Sequence, residues 1–308
     1  MFLKFLKNPK NLIQNILKRD ERTLRRNEVE IVISNIVPNE RFGKSIVFVI
    51  NHYAREVSNS RSHIFLIFAE SFRSTFVGSR LGVLWNYVMP LIPLSVYLML
   101  TQIRVFPEFD GVSGAAFVTF GVFNWFLLVG PINKTIHTIS SRNRLVTTTE
   151  LNLSVYVLSD LAQIMFDALI RFVFVLIIML VTSTYPTWGL FFLPFVLVLS
   201  FTFSLALGIL LGLLNLVAND VSRLVSIFLQ YGIFLSGVIF PVTDMAFLSY
   251  INWLNPFAIF IKYSRELVFH GSISNWFELL GILLFSILIF IWSLKVFYNM
   301  ERKIRGLS

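Results

Sequence analysis

The sequence predicts an all-α integral membrane protein: six transmembrane helices, an N-terminal amphipathic interface helix, and a re-entrant external segment between helices 5 and 6. Three observations predict it. Charged residues make up 14% of the 308 and hydrophobic ones 56%. A soluble domain carries about a quarter charged, so there is too little polar surface here to cover a globule. Uncharged runs recur at bilayer length, since a crossing helix needs about 20 mostly apolar residues. Finally, Lys and Arg collect on alternate loops, the charge bias that orients membrane helices.

Taken in order, residues 1–61 form a cytoplasmic N-terminal extension. The opening MFLKFLKNPK does not predict a signal peptide, because Lys4, Lys7 and Lys10 interrupt its apolar residues. In KNLIQNILKRDERTLRRNE, Leu12, Ile13, Ile16 and Leu17 have helical spacing beside a basic face, and IVISNIV (31–37) reads as a short strand. SHIFLIFAESFRSTF (62–76) is amphipathic and reads as the interface helix on the inner leaflet.

Residues 81–103 carry no charge and predict a first span at about 83–103, and residues 112–133 predict a second at about 114–132. The uncharged run 172–219 is 48 residues, too long for one crossing. STYPTWG (183–189) breaks it with the turn formers Pro186 and Gly189, predicting a hairpin between spans at about 161–183 and 189–214. Residues 224–243 give a fifth span, about 222–241, and the last is about 277–298, with Glu278 and Lys295 snorkelling at its ends. Between these two, Pro241, Asp244, Asn252, Asn255-Pro256, Lys262 and Arg265 interrupt the apolar residues too often for a crossing. That stretch predicts two short helices that dip in and return, covered by protein or water. Residues 301–308 are a cytoplasmic tail.

With the N-terminus inside, 22 of the 26 Lys and Arg fall on the inner side: 14 in residues 1–80, then Lys134, Arg142, Arg144, Arg223, Lys295, Arg302, Lys303 and Arg305. The net charge of +9 therefore faces cytoplasm and anionic lipid, and nucleic acid is not needed to explain it.

Several candidate sites resolve to structure. The chain has no cysteine, which excludes disulfides, thiolate catalysis and Cys-ligated metals. RFGKS (41–45) ends like a phosphate-binding loop, but that loop needs glycine where Pro38 stands. It reads as a basic turn, so the chain is not expected to bind ATP itself. His52, His63, His137 and His270 do not pair on a helical face at ligand spacing, and no G-x-S-x-G occurs. No metal site and no enzyme active site is expected. Asp167 and Arg171, four apart in the third span, read as an internal ion pair facing a neighbouring helix. Gly208, Gly212 and Gly232, with Ser204 and Ala206, read as sites of close helix approach. The 33 Phe, 9 Tyr and 6 Trp mostly fill lipid-facing and packing surfaces.

One stretch carries more. FVGSRLGVLW, followed by Pro90, resembles the first-span signature of the ABC-2 type permeases that export polysaccharides, the membrane subunits for O-antigen, capsule and teichoic acid. Phe76, Gly78, Ser79, Leu81, Gly82, Leu84, Trp85 and Pro90 match it. Val77 departs, where a basic residue is usual, and Arg80 or Arg73 stands nearby. NDVSRLVSIFLQYGIFLSGVIFPV (219–242) is similar to the family's acidic start and Pro-ended close of span five. LNPFAIFIKYSRELVFHG (254–271) is similar to its external re-entrant segment, through Asn255, Pro256 and Arg265.

The resemblance covers residues 62–300 and implies a homodimer in the bacterial inner membrane, both termini cytoplasmic, with an ABC ATP-binding subunit on each cytoplasmic face. ATP and Mg would be bound by that partner, and the chain itself would hold no cofactor. An undecaprenyl-linked polysaccharide would pass between the two permeases. On this basis Arg73, Arg80, Ser79 and Trp85 are expected to meet substrate or lipid headgroups. Arg144 and Glu150, in the loop SSRNRLVTTTELNLSV (140–155), are expected to contact the ATPase. Trp253, Asn255, Pro256, Phe257, Tyr263 and Arg265 belong to an external gate, with Trp253, Phe257 and Tyr263 touching sugar. Export of a drug or lipid is the alternative cargo. A membrane glycosyl transferase would need acidic pairs that these loops lack, and a passive channel would need no ATPase.

Overall fold

The computed structural model describes residues 43–74, 111–141, 151–240 and 254–306, with residues 95, 96, 99 and 109 besides. The expected strand at 31–37 and the first span at 83–103 lie outside the described residues, apart from residues 95, 96 and 99. So do Ser79, Arg80, Trp85, Arg144, Glu150 and Trp253.

Among the described residues the architecture is helical, with one isolated antiparallel bridge between Phe109 and Val112. The helices are α1 (Ile46–Ser74), α2 (Gly114–Ser141), α3 (Leu153–Val181), α4 (Leu193–Val217), α5 (Asp220–Leu235), α6 (Pro256–Arg265) and α7 (Trp276–Gly306). A 3₁₀ turn (Trp188–Phe191) precedes α4, and a π turn (Glu266–His270) continues α6. Four of these helices, α2, α3, α4 and α7, are long and apolar enough to cross a membrane. They fall on four of the expected spans.

Two expectations shift. The helix expected over 62–76 begins earlier, at Ile46, and runs 29 residues. Ser45 starts it, its Oγ accepting from the Phe48 N–H at 3.3 Å, so the serine of RFGKS serves as a helix cap. Val49 and Tyr53, one turn apart, then bury against Phe297 and Tyr298 of α7. The fifth helix, expected to reach residue 241, stops at Leu235 after 16 residues. At 1.5 Å per residue that is about 24 Å, short of the roughly 30 Å of hydrocarbon. Gly237 ends it, at φ 67°, the left-handed turn that closes helices.

The bundle is built around α2. It packs on α4 along a seam where Gly208 faces Thr135 and the carbonyl of Pro131. A Cβ at Gly208 would sit 2.9 Å from Thr135 and 3.0 Å from that carbonyl. Gly212 meets Ile139 and Gly232 meets Trp125 in the same way, so the small residues do mark close helix approach. On the other flank α3 turns Leu169, Val173, Leu180 and Val181 outward. Arg171 on α3 faces back to α2, its guanidinium 5.0 Å from the ring centre of Phe126.

Hydrogen bonds sort the elements to two ends. At one, Ser113 bonds Thr184 at 3.0 Å, and Thr187 bonds Leu267 and Val268. At the other, α1 meets the start of α3 and the end of α7, through Glu56 with Ser154 and Tyr53 with Glu301. This second end carries Lys134, Arg223 and Lys295, the side that the charge pattern assigns to the cytoplasm.

Candidate functional site

The segment between α5 and α7 is anchored residue by residue. Asn255 precedes Pro256, which has no N–H to lose and a backbone angle suited to a first helical position. Asn255 caps α6, its Oδ1 accepting from the Phe257 N–H at 3.1 Å. Its Nδ2 donates to Ser236 Oγ at 3.0 Å and to the Leu235 carbonyl at 3.3 Å, so the cap also holds the end of α5. Phe257 packs inward between Trp125 and Phe203, ring centres 5.6 and 5.9 Å away.

Arg265 ends α6 inside the protein, only 7% exposed. Its guanidinium donates to the carbonyls of Gly237 (2.6 Å), Val238 (2.6 Å) and Phe117 (3.0 Å) and lies over the Phe117 ring, 3.6 Å from its centre. Burial pushes it down to about 9, still protonated at neutral pH. Both terminal nitrogens of the buried cation are met by carbonyls, and the planar fork of Arg suits several acceptors at once. Tyr263, expected to touch sugar, is fully covered instead, and its hydroxyl donates to Glu278 of α7. Lys262 joins the same carboxylate at 3.3 Å, so Glu278 binds the segment to α7 as well as standing at a helix end. Packing within the chain thus covers Tyr263 fully and Phe257 in part.

The hairpin between α3 and α4 grips this segment from the side. The π turn leaves the carbonyls of Leu267 and Val268 without helical partners. Thr187 Oγ1 donates to them at 2.8 and 3.1 Å, and its N–H donates to Val268 at 2.8 Å. Gly189 lies so close that any Cβ would collide with the Leu267 carbonyl.

At the opposite end a cleft of about 1020 Å³ opens between α2, α3, α4 and α5. Lys134, His137 and Arg223 line it with the amides of Asn133 and Asn215. Asn215 is the tie: its Nδ2 donates to Ser140 at 2.7 Å and its Oδ1 accepts from the Ser222 N–H at 2.8 Å. Lys134 stands 3.6 Å from Asp160, which is buried and accepts from Thr138 at 2.5 Å. Near it, Glu56 of α1 accepts from Asn152 and from Ser154 (2.6 Å) at the start of α3, directly after the 142–150 loop. Sequence reading missed Glu56, Asn215 and the cleft. Their partners lie up to 98 positions away, and no local pattern announces them.

Comparison with known proteins decides the family. The ABC-2 type transporter family matches residues 62–269, about two thirds of the chain. The chain belongs to the ABC-2 type transporter family. The matched region of this ABC-2 protein starts within α1 and ends in the π turn, so the anchored segment and the cleft both fall inside it. The "O-antigen export system permease protein RfbA" of Myxococcus xanthus is 21% identical over 252 residues, covering 81% of this chain and 96% of that protein. As an ABC-2 member the chain is a multi-pass membrane protein and a transport subunit.

Proposed function

We propose that this chain is the permease subunit of an ATP-driven ABC exporter that moves a lipid-linked polysaccharide across the bacterial inner membrane. The observation that carries the reading is the similarity along 96% of a relative named as an O-antigen export permease. The first-span signature ending in Trp85 and Pro90 supports it independently. The working unit is a homodimer of six-span subunits, with the span at 83–103 added to the four long helices and α5 completing its crossing through the buried residues 236–239. An ABC ATP-binding subunit docks on each cytoplasmic face and holds ATP and Mg. O-antigen, capsule and teichoic acid share the needed chemistry, a long polar glycan on an undecaprenyl carrier.

Roles follow from position in the chain. Arg73, Ser79, Arg80 and Trp85 stand where the interface helix turns into the first span, at headgroup level. Arg144 and Glu150 lie in the loop before α3 and touch the ATPase. Residues 242–271 form the re-entrant external gate. Its inner half is a rigid plug held by Asn255, Arg265 and Glu278. Trp253 is left to meet sugar, since Phe257 and Tyr263 are occupied within the chain.

Two measurements test this. Cells lacking the chain accumulate an undecaprenyl-linked polymer on the cytoplasmic side, and the tagged chain co-purifies with an ATP-binding protein. Accumulation of a drug or an ordinary lipid, with no polymer, overturns the cargo. A chain that purifies alone and still transports overturns the energy source.

A further inference from the structure

We propose that the cleft between α2, α3, α4 and α5 binds the diphosphate head of the lipid-linked glycan before translocation. This deepens the export reading and rests on it. The cleft is open and its walls are largely apolar, with polar side chains from α2, α4 and α5 set into them. It presents three nitrogen bases, Lys134, His137 and Arg223, beside amides and serine hydroxyls. A diphosphate asks for cations, and the first sugar asks for amide and hydroxyl partners.

The charge at the cleft is arranged to meet an anion. Two carboxylates lie near these bases. Asp160 is buried behind Lys134 and spends one oxygen on Thr138, so the cleft meets the ammonium and not the acid. Asp220 stands 3.9 Å from Arg223 at an exposed helix start, where water screens the pair and leaves the guanidinium free to turn. The amide of Asn215 is held at both ends, so that wall is preorganised. The volume, about 1020 Å³, is at the upper end of small-molecule pockets and admits a diphosphate with sugar attached.

The lipid tail has its own place. On α5, one to two turns beyond Arg223, Ile227, Phe228 and Tyr231 are exposed and apolar. A polyprenyl chain lying along this face leaves its diphosphate at the level of Arg223 and His137. Phosphatidylglycerol offers one phosphate and no ring to fill the cleft, so the cleft favours the diphosphate carrier.

The test uses the full chain in phosphatidylcholine nanodiscs, titrated with undecaprenyl diphosphate, with phosphatidylglycerol as competitor. Wild-type protein is expected to bind saturably. The H137Q/R223Q variant should bind at least tenfold more weakly with an unchanged Tm, Arg223 being 84% exposed and held by a single screened contact. Arg223→Lys should recover most of the loss. No saturable binding by wild type, unchanged binding in the double variant, or equal competition by phosphatidylglycerol each overturns the proposal. Cells lacking the chain separate the two readings. If they accumulate polymer while the double variant binds normally, the cleft assignment fails and export stands. If they accumulate none, the export reading itself fails.

Discussion

The guanidinium of Arg265 lies against the backbone of Gly121, with no room between them for a methyl group. This one relationship joins the short α6 to the first two turns of α2. It depends on a glycine and an arginine 144 positions apart in the sequence. Gly121→Ala should therefore push the cation off its acceptors at Gly237, Val238 and Phe117. Arg265→Met would leave the carbonyls of Gly237 and Val238 buried without this donor, at about 1–3 kcal/mol each, while Phe117 keeps its helical bond. Both variants are expected to lower the Tm in detergent by roughly 5 °C or more. Arg265→Lys should recover only part, since an ammonium cannot reproduce the fork. A Gly121→Ala protein that melts like wild type would show the contact to be loose.

The hairpin clamp makes a separate prediction. Gly189→Ala sets a methyl group against the backbone carbonyl of Leu267, which cannot swing aside as a side chain can. Thr187→Val keeps the shape but strands the Leu267 carbonyl, at a cost of about 1–3 kcal/mol, while Val268 keeps the Thr187 N–H. Hydrogen exchange is the direct readout. In either variant the amides of residues 182–192 and 266–271 should exchange faster together, and those at the Glu56 end should not change.

Much of this was legible in the sequence, for physical reasons. Hydrocarbon admits so few charges that uncharged runs of span length point to α2, α3, α4 and α7. The Pro186 and Gly189 punctuation points to the hairpin, and Asn255-Pro256 marks a helix start because cap and first-turn geometry are local. What was not legible depends on distant partners. Arg265 reads as a gate residue through resemblance alone, because nothing near it shows that carbonyls from residues 117, 237 and 238 converge on its fork. Residues 224–243 count as a span by charge alone, yet Ser236 and Gly237 turn the chain seven residues before that run ends. The cleft needs four helices at once.

Lys134 and Asp160 should be strongly coupled. Asp160 is buried, so removing Lys134 takes away a cation 3.6 Å from a carboxylate that water does not reach. Only the carboxylate of this pair is fully buried, Lys134 being 39% exposed, so removing the cation costs less than the ~3–5 kcal/mol of a wholly buried pair, and replacing both halves is often near neutral. Lys134→Met alone should thus lower the Tm clearly, and the K134M/D160L double variant should restore most of it. A double-mutant cycle should give a coupling of about 0.5–3 kcal/mol. Additive losses would mean that the two charges stabilise independently.

Glu56 is placed to transmit motion. It sits on α1 and holds Asn152 and Ser154, the residues from which α3 rises. The loop just before them carries Arg144 and Glu150, the proposed ATPase contacts. A push on that loop can reach α1 through Glu56, and α1 in turn packs on α7 through Tyr53, Phe297 and Tyr298. Glu56→Ala would cut this link while leaving α3 and α7 intact as membrane helices. On the proposed export function, the expected outcome is normal insertion and continued ATP hydrolysis by the assembled transporter, with several-fold less polymer exported per ATP. Glu56→Gln still accepts from one neighbour and should fall between Ala and wild type. Cysteines placed at residues 144 and 150 should crosslink to the ATP-binding subunit in both variants, because the docking loop itself is unchanged. If hydrolysis and export fell in equal proportion, Glu56 would be supporting assembly and not coupling.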